Sequence, residues 1–325
     1  MPELNKRLYA ALVLPMTMEG AVDEDAYRKL IRYYLKGRFL ERGGLIANAE
    51  AGEIYYLTRE EKKRVVEITI EEAAGRMPVF AGVFGLATNE CVDVARDAKA
   101  AGADGLFIMP PAGCFDLSLG WNAEKYPEYW LDQIKAIDEA VDMPMITHPS
   151  ASPTPAWGIG VPGPAVKTIC EAVPNIIGWK MTYHYDGIRK MWKVLRGLEN
   201  PVSIMCAGGK YFHEFLAHDR LDGTVSGSWS YAAETMLDHI DAWERNDVVE
   251  ARRIWEDGLS ELHDYIYADY SRLHLRYKVA AWLRGLIPNC YMRPPMPRPT
   301  EEEIATLHAL LAGAGLSVIE MKQAA

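Results

Sequence analysis

Asn175-Ile176-Ile177-Gly178-Trp179-Lys180 is a short apolar run that ends in a lysine. Read as a β-strand, its side chains alternate, so Ile176, Gly178 and Lys180 share one face and Ile177 and Trp179 the other. As a strand of a parallel barrel it would deliver Lys180 to the mouth at the C-terminal strand ends, where barrel enzymes keep their chemistry. A lysine held there and partly withdrawn from water loses proton affinity and can present a neutral amine to a carbonyl group. The other reading of the same position is a lysine that leaves the strand and reaches solvent.

Outward from this stretch, similar runs recur about every 30 residues, each followed by a helical pattern, which is the rhythm of βα units. Upstream lie Leu8 to Leu14, Gly43 to Ala47, Met77 to Gly82, Gly105 to Met109 and Met143 to His148; downstream lie Val202 to Cys206 and Gly223 to Ser226. Asp23 is a candidate N-cap before Ala26, Leu30, Ile31 and Tyr34, and Thr58-x-x-Glu61 forms a capping box before Val65, Val66 and Ile70. A doubly wound open sheet is the structural rival. It usually shows a glycine fingerprint after its first strand, whereas here that strand runs into Pro15-Met16-Thr17.

Beyond residue 230 the pattern turns helical. Segments are expected over Glu234 to Arg245, over Val248 to Leu286 with one break, and over Thr300 to Ala312 behind a second capping box, Thr300-x-x-Glu303. Tyr291 to Pro299, rich in proline, reads as an extended linker. The expected organisation is a (β/α)8 TIM barrel over 1–230 that carries the active site, and a C-terminal helical extension over 231–325.

The 325 residues are 49% hydrophobic and 25% charged, enough to bury a large core. A net charge of −10 without any dense Lys/Arg block argues against nucleic acid or a membrane surface as partner. Cys91, Cys114, Cys170, Cys206 and Cys290 are scattered and read as reduced thiols. With no apolar leader at the N-terminus, they point to the cytoplasm. No run approaches the roughly 20 apolar residues of a membrane helix. No His/Asp/Glu cluster has ligand spacing, so no metal is expected.

Several short motifs, in order and at matching intervals, resemble the dihydrodipicolinate synthase and N-acetylneuraminate lyase superfamily of Schiff-base (class I) lyases. They are Ala11 to Pro15 with Gly20 to Asp23, Gly52-Glu53, Ala101 to Gly105, Ile177 to Lys180 with Asp186, Leu221 to Ser226, Tyr277-Lys278 and Arg293 to Pro295. The resemblance implies that Lys180 forms an imine with a small carbonyl substrate, in most members a 2-oxo acid, that no cofactor is needed, and that the protein is a homotetramer built from dimers. It also implies substrate-binding positions at Ala51, Met109, Gly208, Val225 and Ser226.

The chain departs from the pattern as well. Two hydroxyl residues precede Gly-Glu in the family, holding the substrate carboxylate and relaying a proton; here they are Glu50 and Ala51. The tyrosine that shuttles protons at the end of the fifth strand is replaced by His148, and a tyrosine pair after the fourth strand by Pro111 and Ala112. An arginine that grips the second substrate in the synthases would fall near Pro153 and is absent. His148 can both take and give a proton near neutrality, or it can simply hydrogen-bond in the barrel mouth. Glu50 would repel a 2-oxo acid unless protonated or turned away; either the substrate carries no carboxylate next to its carbonyl, or Glu50 serves as acid or base, or it faces a subunit interface. Lys210 either offsets Glu50 or starts the seventh helix at the surface. Glu53 is expected to accept backbone hydrogen bonds below the site. Trp121, Trp157, Tyr183, Tyr185 and Trp229, on loops at the expected mouth, suggest a bulky or aromatic substrate. A barrel that has lost its catalytic hydroxyls and only binds a ligand is the rival function.

Overall fold

Eight parallel strands close on themselves in the computed structural model, which describes residues 3–320. The last five residues of the expected extension, and the first two of the chain, lie outside the described residues. The strands are β1 Leu8–Ala11, β2 Gly43–Ala47, β3 Val79–Val83 and β4 Gly105–Ile108, then β5 Met145–Thr147, β6 Ile176–Met181, β7 Ser203–Cys206 and β8 Gly223–Ser226. β8 pairs back onto β1, so the expected (β/α)8 barrel is what forms. Nearly every strand residue is buried, as expected of strands covered by helices outside and side chains inside.

Register assigns the faces. Tyr9 pairs with Gly44 and Val225, Phe107 with Gly82 and Ile146, Ile146 with Gly178, and Lys180 with Met205. Paired residues share a face and alternate along each strand. Tyr9 meets Phe80 edge to face at 5.0 Å inside the barrel. Two steps along from Gly178, on this inner face, comes Lys180.

The expected caps form. Asp23 accepts from the Ala26 amide at 2.9 Å, and both capping boxes are complete. Two features differ from expectation. The helical segment Trp229–Glu244 begins before residue 230, kinks at Ala232 (φ −127°, ψ 24°) and packs as the barrel's eighth helix, its Asp238, Asp241 and Glu244 pairing with Arg38 and Arg42 across the closure. The barrel's eighth helix therefore extends past residue 230. The segment from Val248 is interrupted twice rather than once. At the first interruption Gly258 sits at φ +105°, a conformation that favours glycine. At the second, the Asp269 side chain caps the Ser271 amide at 2.9 Å, offering the backbone an alternative to the helical bond. No helix among the described residues is long and apolar enough to cross a membrane.

After these interruptions the helix Leu273–Leu283 folds back onto the barrel mouth. It is fastened there by a buried ion pair between Lys278 and Glu53, with Nζ 2.5 Å from Oε1. The other Glu53 oxygen accepts from the Arg293 amide at 2.9 Å. Glu53 thus accepts the backbone bond expected of it, and a charged partner that the sequence did not reveal.

Candidate active site

Lys180 ends up 9% exposed, in a cavity of about 230 Å³ at the C-terminal end of the barrel. Its ammonium lies 5.7 Å from the centre of the Phe107 ring. Burial pulls its pKa down from 10.5 to about 8; the Glu50 carboxylate and the Cys206 thiol oppose the shift. At pH 7 about a tenth of the side chain is then the neutral amine, against well under a thousandth for an unperturbed lysine.

Glu50 reaches the cavity because the backbone after β2 turns sharply. Asn48 and Glu53 bracket it, both left-handed at φ 53° and 61°, a conformation costing of order 1 kcal/mol or more outside glycine. The turn is held from below by Asn48 Nδ2, which donates to the Lys62 carbonyl at 2.7 Å. It also presses on β3: a Cβ on Gly82 would lie 1.8 Å from the Asn48 carbonyl oxygen. Gly82→Ala is therefore expected to push the turn away and to cost about 1–3 kcal/mol. Denaturant unfolding measures this, and unchanged stability would show that the turn yields freely.

In this position Glu50 Oε2 lies 2.9 Å from His148 Nε2 and 3.8 Å from His274 Nε2, while Tyr55 donates to Oε1 at 3.4 Å. His148 sits just past β5, its amide still in the ladder on the Ile108 carbonyl at 2.8 Å and its ring edge-on to Phe107 at 5.6 Å. An ionised carboxylate only accepts, so Nε2 is the protonated nitrogen of His148. Nδ1 is buried and has no hydrogen-bond partner among the described residues. Burial works to raise the Glu50 carboxyl, but the two imidazoles and Lys180 outweigh it and hold Glu50 well below the usual carboxylate range. His148 is pushed below 6.5 by burial and by Lys180, with Glu50 opposing. Burial also lowers His274. The floor of the cavity is thus an anionic carboxylate between two imidazoles that both favour the neutral form, facing an amine.

Sequence reasoning missed the outer wall. Tyr267, Tyr270, Leu273, His274 and Tyr277 come from the C-terminal extension and line the same cavity as Lys180. The cavity is therefore not lined by residues 1–230 alone. Tyr277 donates to the Tyr267 hydroxyl at 2.5 Å, which lies 3.0 Å from Ser228 Oγ. Tyr267, Tyr270, His274 and Tyr277 recur at intervals of three and four residues, and this run of polar aromatic side chains was the available signal, although the helix itself breaks at Asp269.

The expected substrate-binding residues divide. Ala51 and Gly208 line the cavity. Met109, Val225 and Ser226 do not. Met109 is buried, its carbonyl accepting from Trp130 Nε1. Val225 pairs with Tyr9 in the layer beneath, and Ser226 faces the other side of β8, where its Oγ accepts from the Ser228 amide. Of the five aromatics expected at the mouth, only Tyr183 lines the cavity. Trp229 packs outside the barrel against Phe39 and Phe212, and Trp157 lies on Tyr183. Trp121 bonds the Tyr126 carbonyl, and Tyr185 rests on Tyr211. Lys210 is exposed at the rim, in the turn before the helix Phe212–Ala217, 5.8 Å from the Tyr211 ring centre.

With this geometry in place, the chain can be compared with known proteins. A profile of the dihydrodipicolinate synthetase family matches residues 4–314. The 4-hydroxy-tetrahydrodipicolinate synthase of Acidiphilium cryptum is 27% identical over 315 residues, covering 94% of this chain and 97% of the relative. Among solved structures, YagE, a prophage protein of E. coli K12 crystallised with pyruvate, superposes with a TM-score of 0.80 at 22% identity, over 97% of this chain and 100% of the other. The N-acetylneuraminate lyase of Mycoplasma synoviae superposes with a TM-score of 0.72 at 20% identity, over 95% and 97%. At these identities the two structures speak to fold.

Proposed function

The chain belongs to the dihydrodipicolinate synthetase family, and from that premise we propose that it is a Schiff-base (class I) lyase or aldolase acting on a 2-oxo acid or related carbonyl compound through Lys180. The observation that carries this is the buried Lys180 amine, with a pKa of about 8, facing a carboxylate–imidazole pair in a closed-in cavity.

The neutral amine attacks the carbonyl carbon, and the oxygen takes up a proton. Loss of water then leaves a protonated imine. That cation sits where Lys180 already interacts with Glu50, so the carboxylate stabilises charge as it develops. For a substrate with a hydroxyl on the second carbon beyond the carbonyl carbon, the iminium draws in the electrons of the bond between the first and second of those carbons. The hydroxyl proton passes to the Glu50–His148 pair, an aldehyde departs and an enamine remains. The same pair returns the proton to the enamine carbon, and water hydrolyses the imine to free product and Lys180. Addition to the enamine runs these steps in reverse. In this scheme Glu50 and His148 act as one proton-transfer unit, since Nε2–H is committed to the carboxylate.

Borohydride reduction in the presence of candidate carbonyl compounds, followed by mass spectrometry of the Lys180 peptide, tests the proposal; a protein that no carbonyl compound labels there overturns it. Labelling should rise with pH, about tenfold per unit below pH 8, and level off above it, because the amine must be neutral to attack. Glu50 raises the Lys180 pKa, so Glu50→Gln should move this inflection to lower pH. An inflection that stays in place would show that the two groups do not interact.

The loss of the family's paired hydroxyls at Glu50 and Ala51 favours a second reading, a barrel that binds a ligand without turning it over. Ligand-induced stabilisation that persists undiminished in Lys180→Ala would support it. The homotetramer implied by the resemblance is proposed with the enzyme; a solution mass of one chain would overturn that.

A further inference from the structure

Resting on the imine chemistry proposed for Lys180, the charges around the cavity narrow its substrate. Glu50 is the only acid among the described lining residues, and Lys180 and Lys210 are the only lysines; no arginine joins them. At the floor, Glu50 keeps 24% of its side chain exposed and faces Lys180 with two imidazoles at its back. Once Lys180 has become an iminium, its charge and that of Glu50 cancel. A substrate with a carboxylate on its carbonyl carbon would bring a second anion into that confined space, next to a carboxylate and with no free cation to meet it. Ala11, Ala49, Ala51 and Phe107, which share the floor, offer only apolar side chains. A buried charge without a partner is among the most costly features a site can hold.

Towards the opening the balance reverses. Lys210 is exposed at the rim beside Tyr211, and Tyr211 and the exposed Tyr270 give the cavity flat apolar walls with polar tips there. We propose that the compound condensing with Lys180 is an aldehyde or simple ketone on an aromatic or apolar body, with no carboxylate beside the carbonyl, and that an anionic group, where it carries one, lies at its far end against Lys210. The floor then holds a neutralised iminium–carboxylate pair, and the walls hold the body of the substrate.

The whole protein is incubated with borohydride and, in turn, 4-formylbenzoate, 4-methylbenzaldehyde, phenylpyruvate and pyruvate. Attack of the amine expels the carbonyl oxygen as water, hydride adds to the imine carbon, and a stable secondary amine remains on Lys180. Labelling of the Lys180 peptide is normalised to labelling of Nα-acetyl-lysine by the same probe, which removes intrinsic reactivity. The two aldehydes are expected to label at least about tenfold more than the two 2-oxo acids, the scale set by one close uncompensated charge. Lys210→Met should lower labelling by 4-formylbenzoate several-fold more than labelling by 4-methylbenzaldehyde, and Glu50→Gln should raise labelling by phenylpyruvate. Efficient labelling of Lys180 by pyruvate or phenylpyruvate, at or above the aldehydes, overturns the substrate class and leaves the imine chemistry standing. Equal loss of both aldehydes in Lys210→Met overturns the place assigned to the distal anion. Failure of all four probes to label Lys180 overturns the substrate class and the imine chemistry together.

Discussion

Lys180→Met is expected to abolish imine trapping, to lower turnover by at least about a thousandfold, and at the same time to make the protein more stable. The two effects share a cause. In water a lysine holds its proton to about pH 10.5, but burial in the barrel mouth brings this down to about 8. Between these values the unfolded chain binds the proton and the folded chain does not, so stability rises with pH across the window. Below about pH 8 the folded state carries the full penalty of a buried ammonium, about 3 kcal/mol. Methionine fills similar space without the charge. At pH 7 the variant should therefore exceed the parent by about that amount, and the gain should fade as pH rises towards 10.5. Chemical denaturation at pH 7 and pH 10, with borohydride trapping alongside, measures both effects. A variant that loses trapping but is no more stable at pH 7 would show that Lys180 is solvated, and the basis for its reactivity would go with it.

This tension explains what could be read from the sequence and what could not. The barrel was legible because its signal is local and repeated. An apolar run buried on both faces, followed by an amphipathic helix, recurs eight times, and each strand fixes its own neighbours through register. Lys180 was legible for the same reason, since alternation along β6 alone decides which way it points. The partners of Glu50 were not. Its contact with His148 joins the loops after β2 and β5, and His274 arrives from a helix more than two hundred residues further along the chain. The second of these contacts depends on how the extension folds back, which is governed by the break at Asp269 and by one buried ion pair. Met109, Val225 and Ser226 failed to line the cavity for a related reason. Their positions at strand ends are correct, but a step of one residue along a strand exchanges the inside of the barrel for the outside, and a step of two exchanges the floor for the layer beneath.

The buried ion pair between Lys278 and Glu53 is where fold and site are most tightly joined, and breaking it should have the largest effect on stability. Their side chains are 0% and 1% exposed, and among the described residues the Glu53 carboxylate has besides Lys278 only the Arg293 amide. Burial lowers the Lys278 pKa and the Glu53 carboxylate opposes this, so each charge depends on the other to be tolerated at all. Lys278→Met leaves a carboxylate in the interior with one backbone N–H, and is expected to cost about 3–5 kcal/mol. Replacing both, as Lys278→Met with Glu53→Leu, removes both charges and should recover most of that loss, because a buried pair and an apolar pair of similar volume are often close in stability. Imine trapping is expected to behave differently. Glu53 closes the turn that carries Glu50, and Lys278 lies four residues after His274 on the same helix, so the pair fixes the distance between Glu50 and its second imidazole. The double variant should be stable yet label Lys180 poorly, with a shifted pH profile. If instead it regains trapping along with stability, the ion pair serves the fold alone, and the placing of His274 beside Glu50 must rest on other contacts.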